Sequence, residues 1–353
     1  MRRRTAIVLA IATAAGAMLW TGAWVLVASR IESGVLAWVE ARRAEGLTAE
    51  YRRLDVSGWP WRWRVEIEGP SMAGAGMVGT ETSRWSWRGQ ALIVEVRPWA
   101  PGEMALTFPG EHWIKAGAGA QSEATLSAAR PEGRAQLTEG GRLAGLARDL
   151  GEAVLKRAID PGPTLIGRAR VSIRPRRAEG GSTDGGLAPG PIDARAEIEN
   201  VRLPAPPRGP LGANVQLALV DLSLKGRVPA GALGPALAAW RDDGGTIEIN
   251  RARLAWGSFG LDGSGSFALD AHGRPLAAAS ARVTGYADGV DALVAAGLVR
   301  AREGAGAKIA LNLLARAESA GRPGEVTLPL SAQDGQLFIA GIPLLRLQPL
   351  RLD

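Results

Sequence analysis

Twenty-five consecutive residues, Thr5 to Ser29, carry no charged side chain. As a helix rising about 1.5 Å per residue, this segment spans about 37 Å, more than the roughly 30 Å hydrocarbon layer of a bilayer. The apolar region of a secretory signal is shorter, about 7 to 15 residues, so length points to an uncleaved anchor. Val27 and Ser29 supply the small-residue pattern of a cleavage site and keep the cleaved alternative open. Arg2, Arg3 and Arg4 precede the segment, while Arg30, Arg42 and Arg43 follow it. This bias predicts a cytoplasmic N-terminus with the bulk of the chain beyond the membrane; the reversed orientation is the alternative. Trp20 and Trp24, four apart on one helical face, are the expected membrane-interface residues.

The composition excludes several chemistries. With no Cys among 353 residues, disulfide scaffolds, thiol nucleophiles and Cys-ligated metal centres are out, and only His112 and His272 can do imidazole chemistry. The absence of thiols also fits an oxidising compartment. The net charge is +7, carried by 38 Arg and only four Lys. Arg is interleaved with Asp and Glu rather than gathered into a stripe, so no nucleic-acid partner is expected. The 47 Gly and 22 Pro argue for many turns and against a compact helical protein.

Beyond the anchor, Ile31, Val35, Leu36 and Val39 keep helical spacing up to Gly46, predicting a juxtamembrane helix over 30–46. The period then changes to two. Trp59, Trp61, Trp63, Val65 and Ile67 alternate with Pro60, Arg62, Arg64, Glu66 and Glu68, predicting a half-buried strand with an aromatic face. Trp85 and Trp87 predict a second strand, Leu92 to Val96 a third and Met104 to Phe108 a fourth, joined as an antiparallel meander. Leu143, Leu146, Leu150, Val154 and Leu155 recur at three and four residues and predict a helix near 141–159. Leu165 to Ile173 reads as a strand, and 174–191 as a Gly, Pro and Arg-rich flexible loop.

Further strands are predicted around Val215 to Leu219, Ile247 to Ile249, Phe259 to Leu269 and Ala281 to Val283. Helices are predicted at Ala230 to Trp240 and at Asp288 to Val299, the latter capped by Asp288. An Asp334-Gly335 hairpin turn joins Val326 to Leu330 and Leu337 to Ile339. The expected fold is β-dominated α+β: an N-terminal transmembrane helix followed by an elongated, mostly antiparallel β ectodomain with several helices. Its divisions are a basic tail 1–4, the anchor 5–29, the helix 30–46, a Trp-rich β subdomain 47–173, the loop 174–191 and a C-terminal β-rich subdomain 192–353.

No motif carries catalysis. Gly74 to Gly79 matches a dinucleotide fingerprint in spelling only, because it lies between two Trp-bearing strands, and it reads as a hairpin connection. His112, beside Glu111, reads as a structural residue, and Glu66 and Glu68 as a solvated charged face. The informative feature is Trp: ten of twelve lie in the first 113 residues. Trp59, Trp61, Trp63, Trp85 and Trp87 are the candidate apolar face. They fill a sheet core, dock on the outer leaflet, or line a groove for an acyl chain.

Several segments resemble the bacterial envelope family called domain of unknown function 2125. They are Trp38 to Gly46, Val56-Ser57-Gly58-Trp59-Pro60-Trp61-Arg62-Trp63, Val96 to Pro101, Phe108 to His112, Gln333 to Leu337 and Ile342 to Leu344. The resemblance implies an inner-membrane anchor and a periplasmic domain, and brings no catalytic residue, cofactor or metal with it. A looser similarity, through Gly265 to Pro275, is to AsmA-like proteins linked with phospholipid traffic. The expected function is noncatalytic: binding or guiding lipid or another apolar envelope component, with the bilayer as a partner. The alternative is a scaffold for envelope proteins.

Overall fold

A computed structural model of the protein describes residues 2–78, 81–116, 123–138, 143–175, 191–204, 209–226, 233–317 and 324–349. The predicted anchor and juxtamembrane helix form one element, α1 (Arg2–Ala44). It passes the length and composition test for a membrane span, with mean hydropathy 1.6 over its apolar window. Strands β1 (Thr48–Glu50), β2 (Arg53–Ser57), β3 (Trp63–Glu68), β4 (Ser71–Val78), β5 (Glu81–Gly89), β6 (Ala91–Arg97), β7 (Ala100–Thr107) and β8 (His112–Ala116) follow. Then come β9 (Glu123–Leu137), β10 (Leu143–Arg157), β11 (Thr164–Pro175), β12 (Ile192–Arg202), β13 (Asn214–Lys225), α2 (Leu233–Asp242), β14 (Thr246–Trp256), β15 (Phe259–Leu269) and β16 (Pro275–Thr284). Helices α3 (Tyr286–Ala295) and α4 (Ala301–Ala317) precede β17 (Glu325–Gln333), β18 (Gln336–Ile339) and β19 (Ile342–Arg346).

All the strands form one antiparallel meander. The first eight are halves of four bent strands: β1 pairs with β4 and β2 with β3 in one unbroken register, as do β3 with β6 and β4 with β5. The bend between β3 and β4 falls at Gly69-Pro70, where Gly69 has φ 57, a conformation open to glycine at little cost. β7 and β8 both pair with β9 on one side, and from β9 each strand pairs with the next through to β19. β11 pairs with β12 across the division drawn at 174–191; residues 176–190 of that predicted loop lie outside the described residues.

The register sorts the side chains by face. One cross-strand row contains Val56, Val65, Val94, Leu106, Gly133, Arg148, Val171, Ala196, Val220, Ala252, Gly263, Ala281 and Leu328. Only Arg148 is polar. A row on the opposite face reads Asp149, Arg170, Glu197, Leu219, Arg253, Asp262 and Arg282. There opposite charges meet across strands, the arrangement that stabilises a solvated sheet surface. Arg168 pairs with Asp149 at 2.5 Å, Arg251 with Asp262 at 2.6 Å and Arg282 with Glu325 at 2.8 Å.

The predicted helix near 141–159 is corrected: Leu143–Arg157 is β10. A spacing of four is a multiple of both strand and near-helix periods, so Leu146, Leu150 and Val154 share one strand face as readily as a helix face. Pairing with β9 and β11 along most of its length decides the matter. The hairpin connection expected at Gly74 to Gly79 is also corrected as far as Val78, because Ser71–Val78 is the strand β4; Gly79 lies outside the described residues. The aromatic strand begins at Trp63, not Trp59, since the chain turns through Gly58, whose carbonyl accepts the Arg62 N–H at 3.1 Å.

α3 starts at Tyr286 after a left-handed Gly285 and has no side-chain cap; Asp288 instead accepts a hydrogen bond from the Ser258 hydroxyl at 2.5 Å. Asp334 and Gly335 have φ 53 and 70, as a two-residue hairpin of the primed type requires. The Asp270 carboxylate organises the β15–β16 turn by accepting the His272 and Arg274 N–H groups and the Arg274 guanidinium. Burial opposes its charge, but these donors hold its pKa below the usual value.

Candidate functional site

Helices α3 and α4 cover only the last part of the apolar face. Ala281, Val283 and Val326 are buried there with Tyr286 and Ala315, and the Tyr286 hydroxyl donates to Asn312 at 3.0 Å. Along β12 to β14 the same face stays half-buried at Ala196, Val220 and Ala252, and at Val171 on β11 it is exposed. The accessible surface, 22383 Å² for a chain of 36.9 kDa, far exceeds the about 13,600 Å² of a compact globular chain of that mass.

The five candidate Trp residues do not share a face. Trp63 is 9% exposed on β3, and its indole N–H donates to the Trp24 carbonyl at 3.3 Å. Trp59 and Trp61, 54% and 71% exposed, lie in the β2–β3 loop. Trp85 and Trp87 sit beyond the bends, on β5 rather than β3, in register with Gly74 and Met72. Trp87 stacks on buried His112 at 5.9 Å, and His112 Nε2 lies 3.0 Å from the Phe108 carbonyl. That is the structural role expected of this histidine, and His272 stands in the β15–β16 turn.

The two interface residues of α1 are tied to the β2–β3 loop. The Trp20 indole N–H donates to the Pro60 carbonyl and that of Trp24 to the Arg62 carbonyl, both at 3.1 Å. In the neighbouring β6–β7 turn, Trp99 is 65% exposed. A cleft of about 860 Å³ joins the two loops and is lined by Trp59, Trp61, Trp99, Arg62, Arg97 and Arg134, with Glu95 and Glu103. Three exposed indoles therefore stand together at one tip of the sheet, beside Trp20 and Trp24 of α1.

A second cleft, of about 590 Å³, is lined by Arg88, Lys115, Lys156, Arg157 and Trp113. Lys115 pairs with Glu123 and Arg157 with Asp160, each at 2.7 Å. Among the described residues no group of three His, Asp or Glu side chains is placed to hold a metal.

Residues 24–348 match the model of a family described as an uncharacterized protein conserved in bacteria (DUF2125). The chain belongs to this family. The match covers the segments that carried the first resemblance, and the looser one to AsmA-like proteins is not supported by it. No curated protein matches the chain, and no solved structure does. Membership of the DUF2125 family brings no assigned site, so the site rests on geometry alone. Sequence reasoning missed Trp99, which lies outside any alternating run, and Arg148, which a helical reading of 141–159 gives no special place. The signal for Arg148 is the strand parity that groups it with Leu146 and Leu150.

Proposed function

We propose that this protein is a single-pass inner-membrane protein with its N-terminus in the cytoplasm, whose periplasmic sheet noncatalytically binds or guides lipid chains. The observation that carries this reading is the thirteen-strand row in which twelve positions are apolar, most of them half-buried and Val171 exposed. An apolar surface of that extent marks an interaction site. Its start, at Val56 and Val65, lies beside the Trp tip that α1 holds by hydrogen bonds. Indoles favour the membrane-water interface, so Trp59, Trp61 and Trp99 rest on the leaflet from which α1 emerges and bring the apolar row to the bilayer.

The test is site-specific photo-crosslinking on the full chain in phospholipid vesicles. Benzophenone side chains at Val171 and Val220, on the apolar face, are expected to yield phospholipid adducts by mass spectrometry; the same group at Ser172 and Ser264, on the polar face, is not. Equal adduct formation on both faces, or none on either, refutes the proposal. A second reading, a scaffold for envelope proteins, is favoured by the outer edge of β19, to which no strand is paired among the described residues. Such an edge accepts a strand from a partner, and a stoichiometric protein partner isolated without lipid supports it.

A further inference from the structure

We infer that Arg148 is the anion-binding residue of the apolar face, taking the phosphate of an amphiphile whose chains lie along the neighbouring strands. This deepens the lipid-binding reading and rests on it. Arg148 is the one polar side chain in the thirteen-strand row, between Gly133 and Val171. Gly133 has no side chain to fill the space between β10 and β7, and the Arg148 guanidinium stacks over the Phe108 ring at 4.1 Å. Phe108 in turn meets His112 edge to face at 6.0 Å, so the platform under the cation is fixed by packing.

Among the described residues Arg148 has no counter-charge. Arg168, Arg251 and Arg282 on the opposite face each have a carboxylate. No acidic group approaches Arg148 among the described residues, and its Nε is buried with no hydrogen-bond partner. Burial alone lowers its pKa, with no opposing charge nearby, yet an arginine stays protonated in a protein. A half-buried cation whose Nε is buried without a hydrogen bond among the described residues is costly, and natural folds seldom keep one without a use. The guanidinium is a planar fork of donors that matches phosphate in a bidentate geometry. An anion delivered along an apolar surface, with chains attached, meets both requirements at once.

The test uses the full chain in nonionic detergent, equilibrated with equal amounts of phosphatidylglycerol and diacylglycerol of the same chain length, with retained lipid read by mass spectrometry. The wild type is expected to enrich phosphatidylglycerol by about tenfold or more, the scale of a charge-assisted hydrogen bond. Arg148→Leu, an apolar residue on an apolar row, is expected to keep diacylglycerol and lose the enrichment; Arg148→Lys keeps part of it. A parallel melt in inorganic phosphate separates the sources. Phosphate protection without lipid enrichment makes the ligand a free anion and overturns the head-group assignment. Equal enrichment in wild type and Arg148→Leu overturns the role of Arg148 while leaving lipid binding intact. Retention of neither lipid by the wild type overturns both.

Discussion

Gly245→Ala is expected to unseat α2. Trp240, 2% exposed, lies flat on Gly245, and a methyl built there overlaps Cε2, Nε1 and Cδ2 of the indole, far inside the roughly 3.5–4.0 Å optimum for carbon contacts. The ring must shift, and the shift breaks its 2.6 Å hydrogen bond to the Lys225 carbonyl. Overpacking costs about 1–3 kcal/mol, and leaving the buried donor and acceptor unpaired costs about 1–3 kcal/mol more. Trp240→Leu removes the same contacts and costs about 3 kcal/mol as a large-to-small change. The double variant should cost little beyond Trp240→Leu alone, because without the indole the new methyl has nothing to strike. The resulting coupling equals the Gly245→Ala cost, about 2–6 kcal/mol, and is read from urea midpoints of the full chain in micelles and from hydrogen exchange across α2. Additive costs, or Gly245→Ala within about 0.5 kcal/mol of wild type, refute the packing argument.

Val220→Asp and Ala252→Asp should abolish phospholipid retention, while Ser264→Asp on the solvated face leaves it unchanged, as lipid analysis of the purified variants will show. Trp59→Ala, Trp61→Ala and Trp99→Ala combined should leave α1 in the bilayer but lift the tip. A fluorophore on Ala100→Cys, specific because the chain has no native cysteine, then loses its quenching by lipid-borne spin labels. Hydrogen bonds from Arg168, Arg195 and Arg251 lead the causes that hold Asp149, Glu197 and Asp262 below ordinary carboxylate values. Their folded pKa values being depressed, the stability they add is present above the unfolded values of about 4 and is lost as pH falls below them. Thermal midpoints should therefore be flat from about pH 7 to 5 and drop below about pH 4, and Asp262→Asn should shallow that drop.

The two-residue period was enough to read β3, β11 and β15, because alternation such as Trp63, Val65 and Ile67 against Arg64 and Glu66 has no helical counterpart, while β9 and β12 went unread. It was not enough for β10, where Leu146, Leu150 and Val154 satisfy both periods and only the pairing partners discriminate. α4 went unread because Gly304 and Gly306 lower its helix propensity and its seat on β17 is a tertiary matter. The Trp site was half legible: clustering in sequence is visible, but whether Trp59 and Trp63 share a face depends on where the strand begins. Gly58, with φ 99, moves that start by four residues.

The apolar row ties these features into one path. It begins under α1, where Trp63 and Val65 are buried, and passes from β3 through β6, β7 and β9 to β10 in four strand steps. At about 4.8 Å per strand, Arg148 stands about 19 Å from Val65. Beyond it the face stays half-open across β11 to β14 and closes only where α3 and α4 pack. A soluble protein would cover such a face with a second layer, as the last strands do, and would not leave a lone cation on it. On the lipid-binding reading proposed above, an amphiphile entering at the Trp tip would meet an apolar track first and the cation next. One ligand would then account for both features, and a charge at Val220, further along that face, should stop the chains without touching the anion site.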